Sequence, residues 1–301
     1  MGKTLLILAA GMGSRYGGLK QIEGFGPNGE TILEYSLYDA LEAGFTEFVF
    51  VIRKDMEDLF REKILSRLPE ELNVKLSFQA LDDLPEGYTV PDGRVKPWGT
   101  GHAVWVARKA VSHPFALVNA DDFYGRMGFY EVARFFDEYE DQGKCHAVVA
   151  YPVSQTLSEH GSVSRGVCEV SEDGNLVKVE EHAGIHRNAE GVIVGRLGES
   201  EIRMSDETPV SMNLLGFFPS VFDVIDRDLK QFLSERIEEE KSEFYIPAVV
   251  NGMINNSEAE IKVLNANEKW LGVTHAADRD YVVNGIRERI SKGEYPEKLW
   301  S

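Results

Sequence analysis

The segment that most constrains the fold is an apolar run that ends in glycines. Residues 5–10 read Leu-Leu-Ile-Leu-Ala-Ala and lead directly into Gly11 and Gly13. A short run that is apolar at every position is typical of a strand buried on both faces, as in a parallel sheet. The sequence therefore predicts an α/β protein whose first strand leads into a glycine-rich loop that extends to about residue 30.

Strand and helix patterns alternate after this loop. Strands are predicted at 47–53, 74–80, 114–125 and 146–153, and helices between Thr31 and Gly44 and at 55–68, 99–111 and 128–142. A β-hairpin at 166–182, with its turn at Asp173-Gly174, precedes a strand at 208–218, a helix at about 220–240, a strand near 261–264 and a helix near 276–291. This order predicts one domain over 1–301, built on a doubly wound, mostly parallel sheet.

Residues 82–98 interrupt the alternation because they are rich in proline, glycine and acidic residues. Two interpretations fit this composition. The segment is either a disordered surface loop or a lid or binding loop, since long loops in compact domains are often functional.

Charge and composition exclude several classes of partner. The 301 residues carry a formal net charge of −18, which disfavours nucleic acid. No apolar run approaches the roughly 20 residues that span a bilayer, so we expect no membrane partner. Two cysteines, Cys145 and Cys168, without a recognisable signal peptide predict reduced thiols and a cytoplasmic location.

The glycine-rich loop favours a triphosphate over a dinucleotide. The third glycine of the dinucleotide fingerprint is replaced by Tyr16, and the loop carries Arg15 and Lys20, which a dinucleotide loop does not need. Glycines let backbone N–H groups approach phosphate oxygens, and the two cations add charge. The alternative is an ordinary turn with solvated side chains.

Two further motifs point to the same chemistry. Asp121 and Asp122 follow an apolar strand, at the edge where open α/β sheets bind ligands, and a carboxylate there can hold Mg²⁺ against phosphates. A helix-capping pair is the alternative. Gly99-Thr100-Gly101 precedes a helix and could contact a base or a phosphate.

In this order the motifs resemble the sugar-1-phosphate nucleotidyltransferase superfamily. Residues 11–15 (Gly-Met-Gly-Ser-Arg) with Lys20 resemble its signature, although Leu19 stands where proline is usual. Residues 98–104 (WGTGHAV) resemble the base-contacting turn of the uridyltransferases, and residues 120–125 (ADDFYG) resemble the metal motif, with Ala120 in place of glycine. Glu180-Glu181 resembles the sugar-contacting Glu-Glu-Lys with His182 at the lysine, and residues 211–218 (SMNLLGFF) resemble a sugar-contacting strand.

The resemblance implies a Rossmann-like fold with a β-hairpin insertion and a role for each matched residue. Residues 1–125 would form the nucleotide-binding half, 126–275 the acceptor-binding half and 276–301 a helical tail. Arg15 would act on the leaving phosphates, Lys20 on the α-phosphate and the attacking group, and Asp121 would bind Mg²⁺. The nucleotide would contact Ala10, Gly11, Gly13, Ser14, Gln79, Gly99 and Thr100, and the acceptor would contact Gly166, Glu181, Asn213 and Gly216.

The chain departs from the family where a second metal ligand is expected. Gly272, Val273 and Thr274 occupy the corresponding places, and none of them is a good Mg²⁺ ligand. The metal is therefore held differently, or the activity is altered.

Three classes of function follow. The first is a nucleotidyltransferase whose acceptor is a sugar 1-phosphate or a non-sugar such as phosphocholine. The second is a non-catalytic nucleotide or sugar-phosphate sensor, and the third is an NAD-dependent enzyme. Gln79 and the turn at 99–103 favour a pyrimidine base, whereas the acceptor and the oligomeric state are not fixed by the sequence.

Overall fold

The computed structural model describes residues 2–11, 23–272 and 278–300. Six residues to which the sequence gives a role or a ligand position lie outside this range. They are Gly13, Ser14, Arg15, Lys20, Val273 and Thr274. What the sequence predicts for them stays a prediction.

Four parallel strands form the first half of the sheet, in the order β3-β2-β1-β4. They are β1 (Thr4–Leu8), β2 (Glu47–Ile52), β3 (Val74–Phe78) and β4 (Phe115–Asn119). Because they are parallel, their carboxyl ends lie at one edge of the sheet, where ligands bind in open α/β folds.

Helices cover both faces of the sheet. One face is covered by α1 (Ile32–Glu42), α2 (Glu57–Lys63) and α4 (Arg126–Glu138), and the other by α3 (Thr100–Val106), α5 (Val221–Arg236) and α6 (Ile246–Asn255). Within β1, Leu5 and Ile7 pack in the first core cluster and Leu6 in the second. The prediction of a doubly wound α/β fold is therefore confirmed, and the all-apolar β1 is explained by burial on both faces.

The second half of the sheet is mainly antiparallel. Its strands are β6 (Cys145–Pro152), β7 (Val163–Val170), β8 (Leu176–Arg187), β9 (Ile193–Leu197), β10 (Ser200–Met204), β11 (Pro209–Phe217) and β12 (Glu260–Asn265). β11 pairs with β4 at one end and with β7 at the other, and it also pairs with β6. The predicted hairpin is β7–β8, and Gly174 in its turn has φ +77°, as the Asp-Gly signal requires.

Helix α1 begins and ends where the sequence signals predict. Thr31 and Glu34 form a reciprocal capping box at its start, in which each side chain accepts a hydrogen bond from the other residue's backbone N–H. Gly44, just past its end, has φ +89°. Such caps satisfy backbone groups that a helix end leaves open.

Three predictions of local structure were wrong or incomplete. The strand predicted at 114–125 ends at Asn119, and the chain turns before the two-residue strand β5 (Asp122–Phe123), which pairs with β13 (Leu271–Gly272). Helix α6 and the β9–β10 hairpin were not predicted. The loop at 82–98 has no helix or strand, but Arg94 and Trp98 are buried, which contradicts the disordered-loop interpretation.

The tail begins with α7 (Asp278–Ser291) and packs back on the first half of the molecule. The ring of Tyr295 makes edge contacts with Tyr35 and Phe123, and its hydroxyl donates a hydrogen bond to Asp39. Phe123 directly follows Asp122, so the tail supports the turn that carries the two aspartates.

Cys145 and Cys168 are both free thiols, and burial raises the pKa of Cys168 to about 12. In the part of the chain that the structure describes, no helix is both long and apolar enough to cross a bilayer.

Candidate active site

A first cavity of about 520 Å³ opens at the carboxyl ends of β2 and β3. Arg53 and Lys54 follow β2, Gln79 follows β3, and Pro97 and Trp98 end the loop at 82–98. The loop therefore reaches the cavity, which favours the binding-loop interpretation. Trp98 is fully buried and still lines the cavity, and its indole N–H donates to the carbonyl of Leu81.

Gln79 is held in one orientation inside this cavity. Its Nε2 donates to the carbonyl oxygen of Gly99 at 3.1 Å and lies 3.2 Å from Nδ1 of His102. Because a carbonyl only accepts, the amide nitrogen must face Gly99, and this fixes the flip of the amide. Both amide protons are then used, and none of the described residues donates to Oε1, so this oxygen can accept a hydrogen bond from a ligand.

His102 completes this arrangement as a neutral ring. Its Nε2 lies 2.6 Å from the carbonyl oxygen of Asp83, so Nε2 carries the proton and Nδ1 accepts from Gln79. Burial lowers the pKa of His102, which keeps the ring uncharged at neutral pH. The sequence placed His102 within a motif but gave it no role, whereas the structure makes it the support for Gln79.

The turn at Gly99–Thr100 separates the first cavity from a second one. Gly99 has φ +102°, and a Cβ there would lie 2.5 Å from the carbonyl oxygen of Phe244, so only glycine fits. The N–H of Gly101 donates to that same carbonyl, and the Thr100 hydroxyl accepts from the N–H of Ile246. The turn is therefore fixed against the start of α6, and Thr100 lines the second cavity.

The second cavity, of about 550 Å³, brings together three of the predicted acceptor residues. Gly166 on β7 and Glu181 on β8 are paired across the hairpin, and Asn213 reaches the cavity from β11. The side chain of Glu181 is exposed, and a Cβ at Gly166 would lie 2.9 Å from Val179. Glycine at 166 thus keeps this wall of the cavity open.

Asn213 points into the cavity because β11 is irregular there. The register with β6 shifts between Ser211 and Leu215, and Asn213 has φ +64°. Asparagine adopts this left-handed conformation more readily than most residues, and such outliers often mark functional sites. The N–H of Asn213 donates to the Ser211 hydroxyl, so the bulge carries its own hydrogen bond.

Gly216 is not among the residues that line this cavity, which contradicts its predicted contact with the acceptor. It is buried within β11, and a Cβ there would contact Val132, Phe136 and Ala147 at 3.2–3.4 Å. Gly216 therefore allows α4 to pack closely on the sheet, and it does not line the cavity.

The two aspartates lie at the end of β4. Asp121 is half-buried in the turn between β4 and β5, and Asp122 lines the second cavity. One carboxylate oxygen of Asp122 accepts from Asn119 and the other from the indole N–H of Trp270, each at 3.0 Å. Burial, together with the charge of Asp121, raises the pKa of Asp122 to about 6. The neighbouring Ala10 and Gly11 follow β1 at the same edge.

Trp270 occupies the space that a side chain at position 272 would need, which is one of the three places where a second metal ligand was expected. A Cβ at Gly272 would lie 2.0 Å from the Trp270 ring, so no side chain fits at position 272 with the indole in place. Trp98 and Trp270 are both buried, and each also lines a cavity.

The aspartate pair fits a magnesium ion that phosphates help to hold. Within residues 2–11, 23–272 and 278–300, no cluster of three or more His, Cys, Asp or Glu side chains could hold a metal by itself. Mg²⁺ in nucleotide sites commonly takes one or two carboxylates, with phosphates and waters as the remaining ligands. Asp121, with Asp122 beside it, offers this donor set.

The sequence did not indicate that Arg165 and Trp270 lie against each other in the second cavity. The guanidinium of Arg165 lies 4.5 Å from the centre of the Trp270 ring, and both residues are buried. Arg165 directly precedes Gly166, which was the only signal in the sequence that its side chain lies near the acceptor site.

Comparison with known proteins gives the family. The model of the nucleotidyl transferase family matches residues 4–189, which is more than half of the chain. None of the curated proteins matches the sequence.

Two solved structures are similar over nearly the whole chain. The inositol-1-phosphate CTP transferase from T. maritima is 15% identical, with a TM-score of 0.59 and coverage of 96% of this chain and 97% of that one. A UDP-glucose pyrophosphorylase complexed with UDP-glucose is 16% identical, with a TM-score of 0.59 and coverage of 96% and 100%. At these identities the likeness establishes a shared fold. The family match over residues 4–189 shows that the chain belongs to the nucleotidyl transferase family and is an enzyme of the nucleotidyltransferase class.

Proposed function

We propose that this enzyme transfers a nucleoside monophosphate from an NTP to a phosphorylated acceptor, most simply a sugar 1-phosphate, and releases pyrophosphate with Mg²⁺ as cofactor. The observation that carries the proposal is the pair of similar cavities on either side of the Gly99–Thr100 turn. They open at the carboxyl edge of the parallel strands, beside the aspartates that follow β4. Two substrates that react with each other need two adjoining pockets.

The first cavity suits a pyrimidine base. Oε1 of Gln79 can accept a hydrogen bond from the ring N–H of uracil or thymine or from the amino group of cytosine. The turn at Gly99 and the cavity wall at Trp98 bring backbone and aromatic surface to the same place. The two structural neighbours, a CTP transferase and a UDP-glucose pyrophosphorylase, support this preference.

In the reaction, a phosphate oxygen of the acceptor attacks the α-phosphorus of the NTP while the bond to the bridging oxygen of pyrophosphate breaks. The acceptor phosphate is already ionised at neutral pH, so no strong base is needed. Arg15 would neutralise the leaving phosphates, and Lys20 would neutralise charge at the α-phosphate. Mg²⁺ held by Asp121 would supply further charge neutralisation.

The second cavity suits an acceptor with several hydroxyl groups. The Glu181 carboxylate accepts hydrogen bonds, and the Asn213 amide both accepts and donates them. Such groups match the alternating hydroxyls of a sugar or a cyclitol better than the methyl groups of phosphocholine.

A regulatory role is the second candidate because Gly272 carries no ligand and Trp270 fills the space beside it. In that case the protein binds an NTP or a sugar phosphate without turnover.

One assay separates these functions. The protein is incubated with Mg²⁺, each NTP, and a panel of sugar 1-phosphates, inositol 1-phosphate and phosphocholine, and pyrophosphate is measured. We expect Lys20→Ala and Asp121→Asn to lower turnover by about a hundredfold or more, and Lys292→Ala on the exposed tail to leave it unchanged. Turnover that survives Lys20→Ala refutes the role of the loop, and NTP binding without pyrophosphate favours the regulatory candidate.

A further inference from the structure

Arg165 is a buried cation in the wall of the second cavity, and one of its hydrogen-bond donors has no partner among the described residues. Its side chain lies in the cavity wall, and the residue is only 7% exposed. Nη1 donates to the carbonyl of Ser164 at 2.8 Å, and Nη2 donates to that of Thr156 at 2.5 Å. The buried Nε–H has no hydrogen-bond partner among the described residues. Such a buried donor is costly unless a ligand satisfies it.

The charge of Arg165 is also unbalanced in the described part of the chain. The guanidinium forms no ion pair with a carboxylate of the described residues, and the one charge that acts on its pKa is that of Asp122, which raises it. Burial lowers the pKa of Arg165 to about 10, so the side chain is still a cation at neutral pH. The face of Trp270 offsets part of the cost of desolvation, but a buried charge normally needs a charged partner.

A second buried arginine in the same chain shows the contrast. Arg94 is 5% exposed and lies over Trp98 at 3.4 Å, much as Arg165 lies over Trp270. However, its Nε, Nη1 and Nη2 donate to the carbonyl oxygens of Lys96, Glu239 and Ser242. Arg94 lines neither cavity. The buried arginine whose three nitrogens all donate hydrogen bonds thus lies away from the two cavities, whereas Arg165, in the cavity wall, has one nitrogen without a partner among the described residues.

The residue opposite Arg165 does not supply a cation to the cavity. His182 pairs with Arg165 across the β7–β8 hairpin and stands where the resemblance places a lysine. Its ring is buried, its Nδ1 hydrogen-bonds to the carbonyl of Glu180, and it does not line the cavity. Among the described residues that line this cavity, Arg165 is therefore the one with a positive charge.

We propose that Arg165 binds the acidic group of the acceptor and so determines that the second substrate is a phosphate ester. A guanidinium offers paired N–H donors that match phosphate oxygens, and its Nε–H is already desolvated. Bound there, the phosphate is held between the cation and the aspartate turn. This inference rests on the proposed function for the identity of the acceptor, but not for the binding of phosphate itself.

The first test follows binding without turnover. Inorganic phosphate is titrated by calorimetry into the full chain in a Lys20→Ala background, so that the triphosphate loop contributes less. We expect Arg165→Gln to weaken phosphate binding by about tenfold or more, and Arg165→Lys to recover part of the loss because the charge is kept. Arg94→Gln, the matched buried arginine, should lower the melting temperature and leave phosphate affinity unchanged.

The second test uses the acceptor that the pyrophosphate assay selects. Arg165→Gln should raise KM for that acceptor by about tenfold or more and change KM for the NTP by less than about twofold. A folded Arg165→Gln variant with unaltered phosphate affinity and acceptor KM would overturn the proposal while leaving the proposed function intact. If no NTP and acceptor pair releases pyrophosphate, the proposed function fails, and the phosphate titration still decides the role of Arg165.

Discussion

Asp39 is a buried carboxyl whose protonation should make the stability of this protein depend on pH. It lies on α1 at 1% exposure, accepts a hydrogen bond from the Tyr295 hydroxyl at 2.6 Å, and lies 3.4 Å from Nε of Arg126. Burial raises its pKa from 3.8 to about 7, with the charge of Glu268 adding to the rise, although Tyr295 and Arg126 oppose it. The folded state therefore holds this proton more tightly than the unfolded chain does.

The sign of the effect follows directly. The stabilising contribution of the proton on Asp39 is fully present below about pH 4 and is lost as the pH rises through about 7. A shift of this size corresponds to about 4 kcal/mol in total, of which about 2 kcal/mol falls between about pH 5.5 and about pH 8. Asn at position 39 keeps the shape of the side chain and does not titrate.

Between those two pH values, the unfolding free energy of Asp39→Asn minus that of the wild type should rise by about 2 kcal/mol. Urea unfolding followed by tryptophan fluorescence measures the unfolding free energy at each pH. The difference between variant and wild type cancels the contributions of the other titrating groups. Asp92→Asn, at an exposed position, controls for the loss of one carboxyl. If the stability difference between Asp39→Asn and wild type is constant to about 0.5 kcal/mol, the assigned protonation of Asp39 is wrong.

Two further predictions concern the nucleotide side of the site. Gly99→Ala should destabilise the protein by about 1–3 kcal/mol more than Gly93→Ala in thermal melts. Both positions have positive φ, but only at position 99 would the added Cβ clash with backbone atoms, those of Phe244. Equal losses of stability in the two variants would contradict this packing. Gln79→Glu should raise KM for the NTP by about tenfold or more, because a carboxylate cannot donate hydrogen bonds to Gly99 and His102. The control Gln142→Glu, at an exposed position, should leave this KM unchanged. An unchanged KM in Gln79→Glu would show that Gln79 does not contact the nucleotide.

The parts of the fold that could be predicted are those that depend on local signals. The apolar run at β1, the Thr31 cap, and the Asp173-Gly174 turn each act over a few residues. Helix α6 was missed although its buried residues, Ile246, Val249, Val250 and Met253, follow a helical period, because Pro247 and Gly252 in the same segment are typical of turns and loops. Its buried face packs against both α5 and β8.

The candidate site was predictable only where a motif carried the information. The ordered motifs pointed to Gly166, Glu181 and Asn213, and all three line one cavity. The roles of Arg165 and Trp270 depend on strand register and on a contact between residues that are 105 positions apart in the chain, and no local pattern reports either. Gly216 was misplaced for a different reason: residues three positions apart lie on opposite faces of a strand, so Asn213 faces the cavity and Gly216 faces α4.

The way β11 joins the sheet limits how this enzyme can move. The strand is hydrogen-bonded to β4 at residues 215–217 and to β7 at residues 210–211, so one continuous backbone belongs to both halves of the sheet. A hinge rotation of one side against the other would have to break these ladders, and core strands open only at a cost near that of global unfolding. Substrate capture therefore has to use the connections between strands, and the spacing of the two pockets is set at the moment the chain folds.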